Sequence, residues 1–289
     1  MYEERRVIIQ GIDISYIASE RASSQGPTVI MLHGFGGTKE SFRFLFERVV
    51  GPRAVYACDR PGFGDTSRPL PPYEDFWQKS TPYTRESQVE ILRLFMDALN
   101  IEKAILVGHS VGGIIARLFA LKYPSRVAGI ILINSSIYGK GFAPRTLRIL
   151  QSRPGRIVGP LFLKVFRKSF HKMIDGEFFR PERITDESRA IYNSLFEKEN
   201  WKEALWEYIS HATVLRENEH LNQLSAFTGP VLLIHGREDG RVSVEQSMLQ
   251  EKTFASSRLH IIEDCGHLAP EEKPDETAGH IEEFLKTLE

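Results

Sequence analysis

The stretch that most limits what this chain can fold into is Ala104-Ile105-Leu106-Val107-Gly108-His109-Ser110-Val111-Gly112-Gly113-Ile114-Ile115-Ala116. A short apolar run ends at Gly108, a serine stands between two glycines, and a helix-like run follows. Strand, sharp turn and helix in that order put Ser110 at the apex of a tight turn. Such a turn demands small residues and holds its serine in strained φ/ψ space. A serine held there projects its hydroxyl from the carboxyl edge of a sheet. The next amide, that of Val111, opens a helix and points at the same spot. The bare glycine–serine–glycine spacing arises by chance roughly 0.1 times in a chain this long, so the flanking elements and the partners found elsewhere carry the inference.

Those elements recur along the chain. Residues 5–18 alternate around Gln10-Gly11 and read as a β-hairpin. A polar loop spans Ser23-Ser24-Gln25-Gly26-Pro27. The continuous apolar run at 28–32 suits a strand buried on both faces, and 54–58, 127–133, 230–236 (strand and turn) and 258–262 read as further strands. Helical periodicity covers 40–50, then a stretch capped by Thr84 or Ser87 and running to Leu99, then 244–253 and 274–288. A proline-rich loop occupies 69–82. The pattern predicts an α/β fold, a mostly parallel, doubly wound sheet of about eight strands with helices on both faces. Between 136 and 225 the strands give way to helical, aromatic, charged sequence. That stretch reads as an inserted cap on a core made of 1–135 and 226–289.

With 289 residues the chain can bury a large core. Its net charge of −1 gives nothing to attract nucleic acid. No apolar run approaches a bilayer span, and the acidic residues of Met1-Tyr2-Glu3-Glu4-Arg5-Arg6 do not suit a signal peptide. Cys58 and Cys265 are too few and too far apart for a metal site or a disulfide framework. A cytoplasmic setting is therefore expected. No two histidines have ligand spacing on one element, so no metal is expected.

A serine hydroxyl needs a base within hydrogen-bond reach, and the base needs an orienting acid. In open α/β sheets such groups collect at the carboxyl ends of strands. His33, Asp59, Ser110, Asn134, Asp239 and His267 stand there. Asp239 and His267 follow the last two strands, so a contact between them is expected. His33 and His235 open glycine turns and are expected to tie down loops, and Asp59 to anchor its own loop. Glu238 should point away from its neighbour, and Asp264 should shape the loop of His267. His109 is expected to pack beside the turn or form a pocket wall.

The order Ser, Asp, His, together with the serine turn, resembles the α/β-hydrolase family. The resemblance covers nearly the whole chain. It rests on His33-Gly34-Phe35-Gly36, Asp59-Arg60-Pro61-Gly62-Phe63-Gly64, Gly108-His109-Ser110-Val111-Gly112, His235-Gly236-Arg237-Glu238-Asp239 and Gly266-His267. It implies Ser110 as nucleophile, His267 as general base and acid, and Asp239 as orienting acid. The amides of Phe35 and Val111 would form the oxyanion hole, and Phe35 and His109 would border the substrate. Some members place the acid after the sixth strand; Asn134 and Ser135 stand there and are not ionisable, which favours Asp239. Ser110 departs from the haloalkane dehalogenases and epoxide hydrolases, which carry Asp at this turn. Leu268 departs from the carbon–carbon bond hydrolases of the meta-cleavage type, which usually show Trp after the histidine. The resemblance thus implies a serine carboxylester hydrolase without cofactor, acting on small to medium hydrophobic esters. A carbon–carbon bond hydrolase and a non-turnover ligand receptor remain as alternatives, and perhydrolysis stays open.

The cap has two notable halves. From Lys140 to Lys172 there are Lys140, Arg145, Arg148, Arg153, Arg156, Lys164, Arg167, Lys168 and Lys172, and no acidic residue. Phe162, Phe166 and Phe170 recur every fourth position. This reads either as a helix packing its aromatics inward, its basic face meeting solvent or the acidic second half of the cap, or as a surface for weak membrane contact. The second half carries Phe178, Phe179, Tyr192, Phe196, Trp201, Trp206 and Tyr208, of which a few should face Ser110.

Overall fold

The computed structural model describes residues 2–19, 26–49, 51, 53–73, 77, 80–137, 142–212, 221 and 223–288, with backbone alone for Tyr2, Phe166, Lys168 and His171. Ser23 to Gln25, Lys140, part of the 69–82 loop, and the side chains of Phe166 and Lys168 lie outside the described residues.

Eight strands form one sheet: β1 (Tyr2–Ile9), β2 (Ile12–Ser19), β3 (Thr28–Leu32), β4 (Val55–Cys58), β5 (Ala104–His109), β6 (Val127–Ile133), β7 (Val231–Gly236) and β8 (Ser257–Ile262). Their order is β1-β2-β4-β3-β5-β6-β7-β8. The hairpin β1–β2 is antiparallel and pairs antiparallel with β4; every other pairing is parallel. Gln10 and Gly11 turn the hairpin with φ of 48° and 77°, the double positive φ that matches strand twist. From β3 the chain winds first to β4 and then back to β5 on its other side. The carboxyl ends of β3 and β5 therefore meet at the switch point, where α/β sheets bind ligands.

Strand alternation divides the core between the two faces. Ile30, Leu32, Leu106, Ile130 and Leu132 point to one side, against α2 (Arg85–Ala98) and α3 (Val111–Lys122). Val29, Met31, Ile105, Val107, Ile131 and Ile133 point to the other, against α1 (Arg43–Val49) and a C-terminal helix at Pro274–Lys286. Each fully buried side chain of this kind contributes about 1.5–3 kcal/mol. Thr84 caps α2 by accepting from the Ser87 amide at 3.1 Å. The helix expected over 40–50 is divided. A 3₁₀ turn at Lys39–Phe42 precedes α1, because the Lys39 amide is drawn to the Asp59 carboxylate at 2.7 Å and Ser41 turns back to the Thr38 amide.

Between β6 and β7 the described residues form helices and turns and no strand: α4 (Pro144–Gln151), α5 (Arg153–Asp175), α6 (Asp186–Asn193) and α7 (Trp201–Ser210). Helices α5, α6 and α7 share a third apolar cluster that includes Leu163, Phe170, Ile174, Phe178, Tyr192, Phe196 and Trp201, and it reaches the core at Phe63 and Leu268. Phe170 is buried, whereas Phe162, one helical repeat earlier on the eight-residue scale, is 68% exposed. Of the two described side chains in that aromatic repeat, Phe170 follows the inward-packing reading and Phe162 does not. No helix among the described residues is long and apolar enough to cross a membrane.

Candidate active site

Ser110 stands between β5 and α3 at φ 52° and ψ −118°, a conformation that costs about 1–3 kcal/mol and needs its surroundings to enforce it. The Ser110 amide donates to the Ile133 carbonyl at 2.9 Å. A Cβ on Gly112 would lie 1.9 Å from the Leu32 carbonyl oxygen, and one on Gly108 would lie 2.4 Å from the Gly113 Cα. The glycines are there because α3 crosses β3 and β5 at backbone contact.

His267 follows β8 and Asp239 follows β7, neighbouring parallel strands. Their side chains meet at 2.7 Å, Nδ1 of His267 to Oδ2 of Asp239, and Nε2 of His267 lies 3.0 Å from Ser110 Oγ. The carboxylate accepts, so Nδ1 carries the hydrogen and leaves Nε2 free to take the serine proton. Asp239 is buried, which by itself raises its pKa; the contacts with His235 and His267 and the Val242 amide outweigh burial and hold it well below the usual carboxylate range. Its other oxygen also accepts the Arg241 amide at 2.7 Å.

The remaining residues fall into supporting places. His33 donates from Nδ1 to the Gly34 carbonyl and accepts the Arg60 amide at 3.0 Å, joining the loops after β3 and β4. His235 bridges Ser247 and the Val242 carbonyl. Asp59 accepts from the Lys39 and Asp65 amides and sits where any Cβ on Gly64 would be. Glu238 points to the Cys265 amide. Asp264 takes φ 56° in the loop ahead of His267, and its carboxylate in addition pairs with Arg180 and Arg183 of the helical insertion, which hold its pKa down to about 2. His109 donates from Nε2 to the His267 carbonyl at 2.8 Å, and burial together with the neighbouring His267 pushes its pKa down to about 3. It is a neutral brace for the loop that carries His267.

Sequence reasoning set Asn134 aside as non-ionisable and did not find Glu177. Asn134, at φ 48° after β6, donates to Asp239 Oδ2 at 2.8 Å, so the non-ionisable strand end supports the acid. Glu177, after α5, is buried, accepts the His267 amide at 2.7 Å through its carbonyl, and pairs its carboxylate with Arg241. Burial raises its pKa. An asparagine at a strand end was a readable signal; Glu177 had none, because only the folding back of the insertion brings it to the histidine.

Two cavities meet at Ser110. One of about 290 Å³ is lined by Phe35, His109, Ser110, Met173, Tyr192 and Leu268. The other, of about 400 Å³, is lined by Phe35, Val111, Ile114, Phe142, Tyr208 and Arg241. Tyr192 and Tyr208 are thus the second-half aromatics that reach the serine, while Phe178, Phe196 and Trp201 are buried in the insertion's own cluster. The amides of Phe35 and Val111 belong to residues that border Ser110, and that of Val111 heads α3, where first-turn amides lack an intrahelical acceptor. Among the described residues no group of three or more His, Cys, Asp or Glu side chains is placed to hold a metal ion.

A serine, a histidine and a carboxylate in one hydrogen-bonded chain, at the carboxyl edge of a parallel sheet, make up the working edge of a doubly wound hydrolase. The chain belongs to the α/β-hydrolase family: the family model of the alpha/beta hydrolase fold matches residues 27–274. It is 27% identical to the uncharacterized hydrolase YugF of Bacillus subtilis, over 98% of this chain and 97% of that one. It is 26% identical to Lipase 1 of Psychrobacter immobilis, over 94% of this chain and 81% of the lipase. Among solved structures, a meta-cleavage product hydrolase from Pseudomonas fluorescens superposes with a TM-score of 0.72, covering 99% of this chain and 98% of that one at 23% identity. That last likeness is one of fold.

Proposed function

We propose that this hydrolase cleaves carboxylic esters through Ser110. The observation that carries the reading is the continuous chain from Asp239 through His267 to Ser110, opening on cavities walled largely by apolar side chains. In the proposed cycle Ser110 Oγ attacks the ester carbonyl carbon as its proton passes to His267 Nε2. The carbonyl oxygen becomes an oxyanion facing the amides of Phe35 and Val111, each such donor being worth about 10²–10³ in turnover. His267 then protonates the departing alkoxide. Water, deprotonated by the same nitrogen, releases the acid from the acyl-enzyme. Asp239 stays ionised throughout and stabilises the imidazolium. The stretch 136–225 acts as a cap, supplying Tyr192 and Tyr208 to the walls. Cavities at the lower end of the range for small-molecule sites favour small to medium hydrophobic esters.

The test is hydrolysis of a chain-length series of p-nitrophenyl esters by the wild type and by Ser110→Ala. Multiple turnovers, greatest at short to medium acyl chains and reduced on the order of 10⁴-fold or more in the variant, are expected. Turnover retained by Ser110→Ala, or none by folded wild type, would overturn the reading and move the case to carbon–carbon substrates or to a receptor.

A further inference from the structure

Helix α5 is apolar on two opposite faces. Leu163, Phe170 and Ile174 point inward, and Phe170 packs so closely on the loop after β3 that a Cβ on Gly36 would stand 3.0 Å from its ring. On the far side Ile157, Leu161 and Val165 form one stripe at spacing four, and Val158 and Phe162 form the stripe beside it. All five are between 47% and 68% exposed, and Ile149 of α4 is 67% exposed. A single exposed leucine means little. Five large apolar side chains within nine residues of one helix, all facing solvent, mark a surface that meets something.

The charges around this face say what it meets. Arg145, Arg148, Arg153, Lys164, Arg167 and Lys172 are exposed around it, with no acidic residue from 140 to 172. Among the described residues only one cation of this stretch, Arg156, is in an ion pair, with Glu207. Asp175, at the end of α5, is taken by Arg189. Apart from Arg156, and from Arg167, whose guanidinium lies 5.8 Å from the centre of the Phe196 ring, the described cations of this stretch are not engaged inside the insertion. A second copy of the chain docking face to face would bring two such basic surfaces together. A broad apolar stripe flanked by unpaired Lys and Arg fits the boundary between anionic headgroups and acyl chains.

The same helices border the serine cavities. Met173 and Ile174 of α5 line one of them. Phe142, 40% exposed and two residues ahead of α4, lines the other. We propose that the outward face of α4 and α5 docks on an anionic lipid bilayer and so brings the Ser110 cavities to amphiphilic esters held in it. The delivery of substrate rests on the ester-hydrolase reading; the docking does not.

Co-sedimentation of the full chain with vesicles separates the two. Ser110→Ala protein, mixed with phosphatidylcholine vesicles with and without phosphatidylglycerol, is expected to bind only the anionic ones and to release at high salt. Two further variants test the surface, Leu161→Ser with Phe162→Ser and Val165→Ser, and Arg148→Glu with Lys164→Glu. Each is expected to lower vesicle partitioning on the order of tenfold while leaving hydrolysis of a short, soluble ester unchanged. No binding to anionic vesicles, binding unchanged in both variants, or an oligomer that the serine substitutions break apart without any vesicle binding would overturn the docking. Vesicle binding by a wild type that hydrolyses no ester would sink the proposed activity and leave the docking standing.

Discussion

His109 adjoins Ser110 in sequence and holds the carbonyl of His267, and both it and His33 are buried with their pKa pushed below the usual histidine value. Unfolding frees each ring to take a proton at about pH 6.5, so between there and their folded values the unfolded chain binds more protons and stability falls as pH falls. Each buried histidine contributes a slope of about 1.4 kcal/mol per pH unit. His109→Gln is expected to make the unfolding free energy less dependent on pH by about one proton between pH 6 and 4.5, above most carboxylate titration, as read from urea midpoints. Equal slopes for variant and wild type would mean that His109 is charged in the folded protein. At this scale the sequence was most readable where backbone geometry restricts the residue type. Glycines bracket Ser110, and a glycine precedes His267. It was least readable where a side chain matters through a neighbour distant in the chain. Asn134 and Asp239 are 105 positions apart and touch only because β6 and β7 are paired.

Two glycines in helices show how differently one residue type can be used. Gly112 sits in α3 against the Leu32 carbonyl oxygen, at 1.9 Å from any Cβ, and that oxygen belongs to backbone that cannot turn aside. Gly279 lies inside the C-terminal helix with nothing within 4 Å. Gly112→Ala must push α3 off β3 and is expected to cost more than about 3 kcal/mol. Gly279→Ala only restrains the unfolded chain and improves helix propensity, for a gain of about 0.5–1 kcal/mol. Thermal midpoints of the two variants should therefore move in opposite directions; a fall for Gly279→Ala would show that its helix surface is in contact with something. The strands themselves were legible because a parallel sheet buried on both faces writes continuous apolar runs. The orientation of α5 was not. Its apolar positions recur at helical spacing on both sides, and periodicity alone cannot say which stripe faces inward; the aromatic at 170 goes in and the one at 162 goes out.

The molecule as a whole is coupled through two adjacent buried carboxylates. Glu271 accepts from Arg43 of α1, Ser188 of α6 and Tyr192 of the cavity wall. Glu272 accepts the amides of Phe179 and Arg180 from the insertion, at 3.0 and 2.7 Å, and the amide of Gly266, next to His267, at 2.7 Å. One carboxylate thus ties the segment between α5 and α6 to the loop that carries the histidine, and Glu177 and Asp264 draw the same two segments together from either side. Glu272→Ala leaves three amides without their acceptor, that of Gly266 buried and those of Phe179 and Arg180 partly so, at about 1–3 kcal/mol for each one that water does not reach. It also frees the histidine loop. Stability is expected to fall by about 3 kcal/mol or more. Because small misplacement of a catalytic group is costly, kcat/KM on a soluble ester, measured well below the unfolding midpoint, should fall about 10- to 100-fold. A variant that loses stability and keeps full turnover would show that the histidine loop holds its place without the insertion. In that case the helices between β6 and β7 would shape the cavity, but they would not help to aim His267.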